Sequence, residues 1–250
     1  MNGMIKRIIE MNKNDIEERK KLLPLERKAQ DAPIRFIEAF SEFGIIAEIK
    51  LKSPAAGKLA DKTKISDLAR EYKSGGANAI SVITEKYFFD GDINFILQTK
   101  DEIDLPILQK DFVVDAYQIL ESKKYGADAL LLIAKIITEE ELIKFVDLCF
   151  KIGLEPVVEI SDEEDLDKAL KTKTRVIAVN ARDLDTFKID LKNAYSLIGK
   201  IPDNYLKLGF SGVNSRNEVL NYKKAGARGV LIGTQLVKSD NKEKFLEDLR

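Results

Sequence analysis

Glu48 and Lys50 lie two residues apart in the apolar run IIAEIK (45–50), Lys110 follows the apolar PILQ in PILQKDF (106–112), and Glu159 follows EPVV in EPVVEI (155–160). Lys and Glu are almost never buried unless paired, so charges set into such runs call for one another. Asn180 in VIAVNA (176–181) and Ser211 in LKLGFSG (206–212) add hydrogen-bonding groups near the ends of two more runs. Two carboxylates and two ammonium groups brought together stabilise one another's charges and spread their pKa values, which supplies separate acid and base roles. The chain contains no histidine. Ser-His and Cys-His catalytic units and His-ligated metal sites are therefore excluded, and proton transfer falls to Glu, Asp, Lys or Tyr. Any one of these residues reads equally well as a structural ion pair or as a side chain snorkelling to an edge; the signal is their convergence.

A second signal is Ser211-Gly212 together with Gly233-Thr234, each closing an apolar run. Both pairs offer backbone N–H groups unobstructed by side chains, plus a hydroxyl. Glycine after a strand is also an ordinary turn residue. Paired on adjacent strands of an α/β barrel, however, the two sites favour binding of a phosphate.

Composition limits what such a site can serve. Lys plus Arg number 41 against 42 Asp plus Glu, a net charge of −1. That balance argues against nucleic acid as a partner, which requires a basic surface, and leaves room for a local positive pocket. The one cysteine, Cys149, excludes disulfides within the chain and Cys-rich zinc sites. It suits a reducing, cytoplasmic location. The opening MNGMIKRIIEMNKNDIEERKK is charged throughout and lacks the apolar core of a signal peptide. No apolar run approaches the ~20 residues of a membrane helix. The expectation is a soluble cytoplasmic protein without membrane association or bound metal.

The elements that must position these residues show themselves through a repeat. EYKSGGANAISVI (71–83), SKKYGADALLLI (122–133) and YKKAGARGVLIG (222–233) each read as a polar helix end, a Gly-Ala pair and an apolar strand. Gly76, Gly126 and Gly226 fit the left-handed position that ends a helix. They lie 50 and 100 residues apart, two and four helix–strand units of about 25 residues. Filling the gaps predicts eight strands at 45–50, 79–84, 106–112, 129–134, 155–160, 176–181, 206–212 and 229–234. Most are nearly continuous apolar runs, as parallel strands covered on both faces must be. Thr138 with Glu141, and Ser161 with Glu164, fit capping boxes. After Thr138, Leu142, Phe145, Val146 and Cys149 share one helical face, which makes Cys149 a small buried hydrophobe rather than a reactive thiol.

Eight strands alternating with helices over 250 residues predict an α/β protein, a (β/α)8 TIM barrel forming one domain over residues 1–250. Its rival, a doubly wound open sheet, lacks a Gly-x-Gly-x-x-Gly turn after the first strand. Residues 1–44 read as a helical N-terminal extension. Within and beyond it, the charge-rich KKLLPLERKAQ (20–30) reads as a solvated helix or linker. Tyr87-Phe88-Phe89 either walls a pocket or covers the barrel rim. Active sites of such barrels sit at the C-terminal strand ends, where the polar residues above fall.

On these residues the chain resembles the indole-3-glycerol phosphate synthase family. IIAEIKLKSP (45–54) is similar to its first-strand signature, and TEKYFFDG (84–91), PILQKDF, LLLIAKIIT (130–138), EPVVEI, VNARDLDTF (179–187) and LIGTQL (231–236) resemble its later blocks in order. The resemblance spans roughly residues 4–249. It implies closure of the indole ring from 1-(2-carboxyphenylamino)-1-deoxyribulose 5-phosphate, with loss of carbon dioxide and water and without a cofactor. It further implies that Lys110 is the general acid, with Glu159, Glu48 and Lys50 handling dehydration protons and orienting it. Asn180 would hold a substrate hydroxyl and Ser211 would position the intermediate. Lys50, Gly212, Gly233 and Thr234 would bind the phosphate. Ser53, Phe89, Phe112, Leu131, Leu184 and Phe210 would contact the substrate, with Arg182 near its carboxylate and the N-terminal extension packed near the catalytic end. The implied partner is the phosphorylated substrate, with the chain either a monomer or associated with other tryptophan-pathway enzymes.

A Schiff-base lysine is the alternative role for Lys110, but such a lysine usually needs a depressed pKa, and Glu48 and Glu159 push the other way. Phosphoribosylanthranilate isomerase and the tryptophan synthase alpha subunit are rival barrels; the isomerase typically carries Cys on its first strand, where this chain has Glu48 and Lys50. Two departures from the resemblance stand out. Phe210 replaces the Glu of the usual Glu-Ser-Gly, and Ser53-Pro54-Ala55 replaces Ser-Pro-Ser. Phe210 leaves every proposed proton-transfer residue in place, so the expectation is an active enzyme with altered rate or pH dependence. The contrasting reading is a non-catalytic relative that binds phosphate ligands without turnover.

Overall fold

Residues 3–22 and 36–250 are described by the computed structural model. Residues 23–30 of the charge-rich segment, and 1–2 and 23–35 of the expected extension, lie outside them. Eight parallel strands close into a barrel, each beside its neighbour in the chain. They are β1 (Gly44–Ile49), β2 (Ala79–Ile83), β3 (Ile107–Lys110), β4 (Ala129–Ile133), β5 (Glu155–Ile160), β6 (Val176–Asn180), β7 (Leu206–Phe210) and β8 (Gly229–Ile232). All eight expected strands are present. Several ladders stop one or two residues early, because Lys50, Thr84, Asp111 and Ser211 already bend outward into the loops of the barrel mouth.

Alternation along each strand separates two cores. Outward residues such as Ile45, Ile80, Leu130, Val158 and Ile177 pack beneath the helices. Inward residues, among them Ile46, Leu108, Leu131, Val157, Ala178, Leu208 and Leu231, fill the barrel. Phe36 and Phe40 join that inner cluster. Gly44 and Gly229 leave room for Phe40, since a Cβ on either would lie 2.8 Å from its ring. Phe40 therefore plugs the barrel interior at the end where strands begin.

The helices are α1 (Gly3–Leu22), α2 (Ile65–Ser74), α3 (Lys86–Phe89), α4 (Asn94–Glu102), α5 (Ala116–Lys124), α6 (Glu139–Lys151), α7 (Glu163–Leu170), α8 (Leu191–Lys200), α9 (Arg216–Lys224), α10 (Thr234–Lys238) and α11 (Lys242–Asp248). Thr138 and Glu141 form the expected capping box on α6. The box expected at Ser161 and Glu164 is corrected: Asp162 is the N-cap of α7, accepting from Asp165 N. Ser and Asp cap about equally well. Ser161 is drawn off because its N–H and hydroxyl both donate to the Asp165 carboxylate, at 3.0 and 2.9 Å. Gly76, Gly126 and Gly226 take φ of +85°, +89° and +104°, the helix-ending conformation that the repeat implied.

In the extension, α1 and a short 3-10 turn at Ile37–Phe40 are helical, residues 41–43 are a non-helical connection, and Gly44 already belongs to β1. Ile5, Ile8 and Ile16 of α1 are buried at intervals of one helical face, with Asn12 between them. That face packs against α3 and α5 at the mouth of the barrel.

Candidate active site

The mouth encloses a cavity of about 330 Å³. Every residue assigned to the site by the resemblance lines it, from Glu48, Lys50 and Ser53 on the β1 side through Lys110, Glu159 and Asn180 to Gly233 and Thr234; of Tyr87-Phe88-Phe89, Phe89 alone does. The reason is the two-residue period. Ile46 faces inward, so Glu48 and Lys50 do too, and the same count carries inward from Leu108 to Lys110, from Val157 to Glu159 and from Ala178 to Asn180.

Glu48 is 2% exposed, and Lys50 Nζ sits 2.6 Å from its Oε1. A side chain at residue 233 would occupy this space: a Cβ there would fall 2.3 Å from Glu48 Oε1 and 3.0 Å from Lys50 Nζ. Burial by itself pushes the Glu48 carboxyl up, but Lys50, Lys110 and Arg182 together outweigh it and hold the group below the usual carboxylate range. Glu159 goes the other way. Burial raises it, and Lys110 and the Asn180 amide only partly offset that rise. Two carboxylates flanking one lysine are thereby set apart, one firmly ionised and the other ready to hold a proton.

The polar groups around Glu159 form a relay. Ser211 Oγ donates to Asn180 Oδ1 at 2.8 Å, and Asn180 Nδ2 donates to Glu159 Oε1 at 3.0 Å. Arg182 N also donates to Asn180 Oδ1, at 3.0 Å, which fixes the amide's orientation. Glu159 Oε2 is buried and has no hydrogen-bond partner among the described residues. An unpaired buried carboxylate oxygen is costly, about 1–3 kcal/mol or more, so this oxygen is an acceptor waiting for a donor.

The strand-seven tip is shaped to serve the relay. Ser211 has φ +68°, the left-handed region that costs a non-glycine residue about 1–2 kcal/mol. Tyr222 stabilises the bend by donating its hydroxyl to the carbonyls of Phe210 and Ser211, at 3.3 and 3.0 Å. Its ring reaches them across Gly209, where a Cβ would lie 2.2 Å away. Phe210, one residue earlier, points into the barrel, pairs in register with Asn180, and is 1% exposed. It adds apolar floor beside Leu131 and Leu231 where the resembling family has a charge.

Two further walls complete the cavity. The Phe89 and Phe112 rings lie 6.4 Å apart, with Leu131 and Leu184 on the same lining. Arg182 is half-buried and donates to the Phe187 carbonyl at 2.9 Å. On the other side Gly212, Gly233, Thr234 and Lys50 share the lining where β7, β8 and β1 adjoin. Ser53 faces the cavity from a short hairpin (Lys52–Ser53 with Gly57–Lys58), its Oγ accepting from Ala56 N at 3.1 Å.

Sequence reasoning missed Glu85 and Asp111. Glu85 caps α3, accepting from the N–H groups of Tyr87, Phe88 and Phe89, and so aims Phe89 inward. Asp111 stands beside Lys110 in PILQKDF, and its adjacency was the available signal. Among the described residues no cluster suited to a metal ion occurs, and no helix is long and apolar enough to cross a membrane.

A family model described as indole-3-glycerol phosphate synthase matches residues 5–249. An indole-3-glycerol phosphate synthase of Lachnoclostridium phytofermentans is 35% identical over 99% of this chain and 98% of its own length. One from Campylobacter hominis is 38% identical over 94% of each. Among solved structures, a mutant tryptophan synthase alpha-subunit from Pyrococcus furiosus superposes with a TM-score of 0.65, covering 83% of this chain and 98% of that one. At 17% identity that likeness speaks for the barrel fold alone.

Proposed function

Since the chain belongs to the indole-3-glycerol phosphate synthase family, we propose roles for its own residues in that family's reaction. The protein is a carboxy-lyase of tryptophan biosynthesis that closes the ring of 1-(2-carboxyphenylamino)-1-deoxyribulose 5-phosphate. The aromatic carbon bearing the carboxylate attacks the ribulose carbonyl, carbon dioxide leaves to restore aromaticity, and loss of water completes the indole. Lys110 is the acid that protonates the carbonyl oxygen as the new bond forms. Glu48 and Lys50 orient it, and the low-lying Glu48 carboxylate keeps positive charge at the site. Glu159 serves the dehydration, where a carboxyl with raised affinity for protons can accept and return one. Asn180 and Ser211 hold Glu159 and a substrate hydroxyl in register.

Phosphate binding falls to Lys50, Gly212, Gly233 and Thr234. The ring side falls to Phe89, Phe112, Leu131 and Leu184, with Phe210 as floor, Ser53 at the edge and Arg182 for the carboxylate. We read residues 1–250 as one domain with 1–44 as its extension, in a cytoplasmic enzyme that acts as a monomer or beside other enzymes of its pathway. The observation that carries these roles is the convergence of Glu48, paired with Lys50 at 2.6 Å, Lys110 and the Asn180-held Glu159 on one buried cavity. The non-catalytic alternative is not favoured, since Phe210 displaces none of these groups.

The test follows product by indole absorbance and fluorescence, against a low background because the chain has no tryptophan. Lys110→Met should lower kcat by about 10²–10⁴-fold, the usual worth of a general acid, while affinity for an unreactive substrate analogue changes far less. Unchanged turnover refutes the acid assignment. Binding without product at any pH in the parent protein refutes catalysis altogether.

A further inference from the structure

Beside the acid–base cluster lies a polar group that the reaction leaves unused. Asp111 follows Lys110 at the end of β3, and three segments meet on its carboxylate. Thr84 Oγ1, just past β2, donates to Oδ2 at 2.6 Å and itself accepts from Gln109 Nε2 at 3.0 Å. Phe112 N donates to Oδ1 at 2.7 Å. From α1, Asn12 Nδ2 lies 3.5 Å from the same Oδ1 and 3.3 Å from the Phe112 carbonyl.

Asn12 is 7% exposed and sits on the face of α1 that buries Ile5, Ile8 and Ile16. Ile5 and Ile8 line the cavity, so this face is its cover. Two turns further along, Arg19 pairs with Asp15 at 2.8 Å and with Glu121 of α5. The helix thus docks through apolar contacts over the cavity and polar contacts beside it. Its buried amide reaches the residue adjacent to the lysine assigned as acid.

We propose that Asp111 is a positioning residue that joins α1 to the tip of β3, so that one carboxylate holds both the helix covering the cavity and the strand end presenting Lys110. The catalytic half of this statement rests on the reading of Lys110 as the acid; the docking half does not.

The charge at this joint opposes its own burial. Desolvation pushes Asp111 up to about 6, against donation from Thr84 and Phe112; Glu85 adds to the rise and Arg19 opposes it. The charged groups acting with it are Arg19 on α1, Glu85 before α3 and Glu121 on α5. Glu121 is itself pushed up by burial, against Arg19. Lifting α1 would return Asp111 to water and toward the ordinary value of ~3.9. The docked state therefore binds the extra proton, and docking tightens as pH falls from about 6 toward the free value of ~3.9 and levels off above about 6. For a full return to water, docking would be roughly ten-fold tighter at pH 5 than at pH 8.

Hydrogen-exchange protection factors of the α1 amides, measured on the full chain, read docking directly. Asp111→Asn keeps an acceptor for Asn12 and Phe112, turns its amide N–H toward the Thr84 hydroxyl, which can accept it, and removes the charge. It should raise α1 protection at pH 8 and remove roughly ten-fold of its variation between pH 5 and pH 8, leaving the part due to Glu121. Asp111→Ala removes the contacts and should lower protection by roughly ten-fold, the worth of a hydrogen bond or two. Asn12→Ala alters only the helix, cannot unfold the barrel, and should act in the same direction. Adding it to Asp111→Ala should change little. In both alanine variants kcat/KM should fall in step with protection. Equal responses to Asp111→Asn and Asp111→Ala, or α1 protection indifferent to both and to Asn12→Ala, would overturn the joint. Turnover of Lys110→Met is scored separately. If it stays active while α1 responds, the acid assignment alone fails; if it is inactive while α1 is indifferent, the joint alone fails.

Discussion

Replacing Phe210 by Glu would restore the charge found in the resembling family, at a position this barrel has filled with an aromatic ring. Phe210 is 1% exposed and packs within the inner cluster with Leu131, Leu208 and Leu231. Truncating a buried Phe costs about 3–5 kcal/mol. Glu keeps part of the volume but places a carboxylate against apolar neighbours, so a net loss of about 3 kcal/mol is expected. For a chain of this size that is a fall in Tm of about 6–12 °C. The new charge would also stand next to Asn180, on the far side of which lies Glu159.

A like charge there should push Glu159 higher still. Glu159 already lies above the usual carboxylate range. A carboxyl raised in the folded state contributes stability that is present below its unfolded value and lost as pH rises through the folded one. Raising it further deepens that loss, so the deficit of Phe210→Glu against the parent should be larger at pH 8 than at pH 5. Thermal unfolding followed by circular dichroism at the two pH values measures both effects. A Tm within about 2 °C of the parent at both pH values, against the several degrees worked out above, would refute the account of Phe210 as packed floor. A deficit independent of pH would refute its coupling to Glu159.

Three other outcomes follow from the packing and the site. Gly233→Ala should lower kcat/KM by roughly ten-fold or more, the effect of about 1.4 kcal/mol at the barrier, because the added Cβ would drive Glu48 and Lys50 off their present positions; an unchanged rate would show that their placement does not matter. Thr138→Ala should cost about 1 kcal/mol of stability through loss of the α6 capping box, read by denaturant titration. Cys149 is fully buried and its thiol is pushed up, by burial first and the nearby Glu155 second. Its reaction with a thiol reagent in the native state should therefore proceed only through opening of the fold, orders of magnitude slower than in denaturant, roughly 10³-fold or more.

Much of the site was legible because a parallel barrel translates sequence into position by simple counting. Continuous apolar runs marked the strands, their glycine-ended helices marked the period, and position near the C-terminal strand ends marked Lys110, Glu159 and Asn180 as site residues. The Thr138 box was equally local. The Ser161 box failed because Asp165, four residues on, competes for the serine, and no ranking of caps reveals which acceptor wins. Glu85 escaped notice because a capping role depends on where the following turn bends. Asp111 escaped because its partners, Thr84 and Asn12, come from segments far away in the chain.

By itself, the chain's pattern of apolar runs and polar interruptions determined the barrel, the end at which chemistry occurs, and the residue types present there. These depend on spacing along the chain, which backbone periodicity converts into facing. Tertiary structure alone decided the opposite displacements of Glu48 and Glu159, the unpaired Glu159 oxygen, the bend at Ser211 held by Tyr222, and the meeting of Asn12 with Asp111 across 99 residues. Each of these is set by burial and by the distances between groups on different elements. Desolvation and Coulomb energies depend on those distances, and they exist only once the barrel has closed.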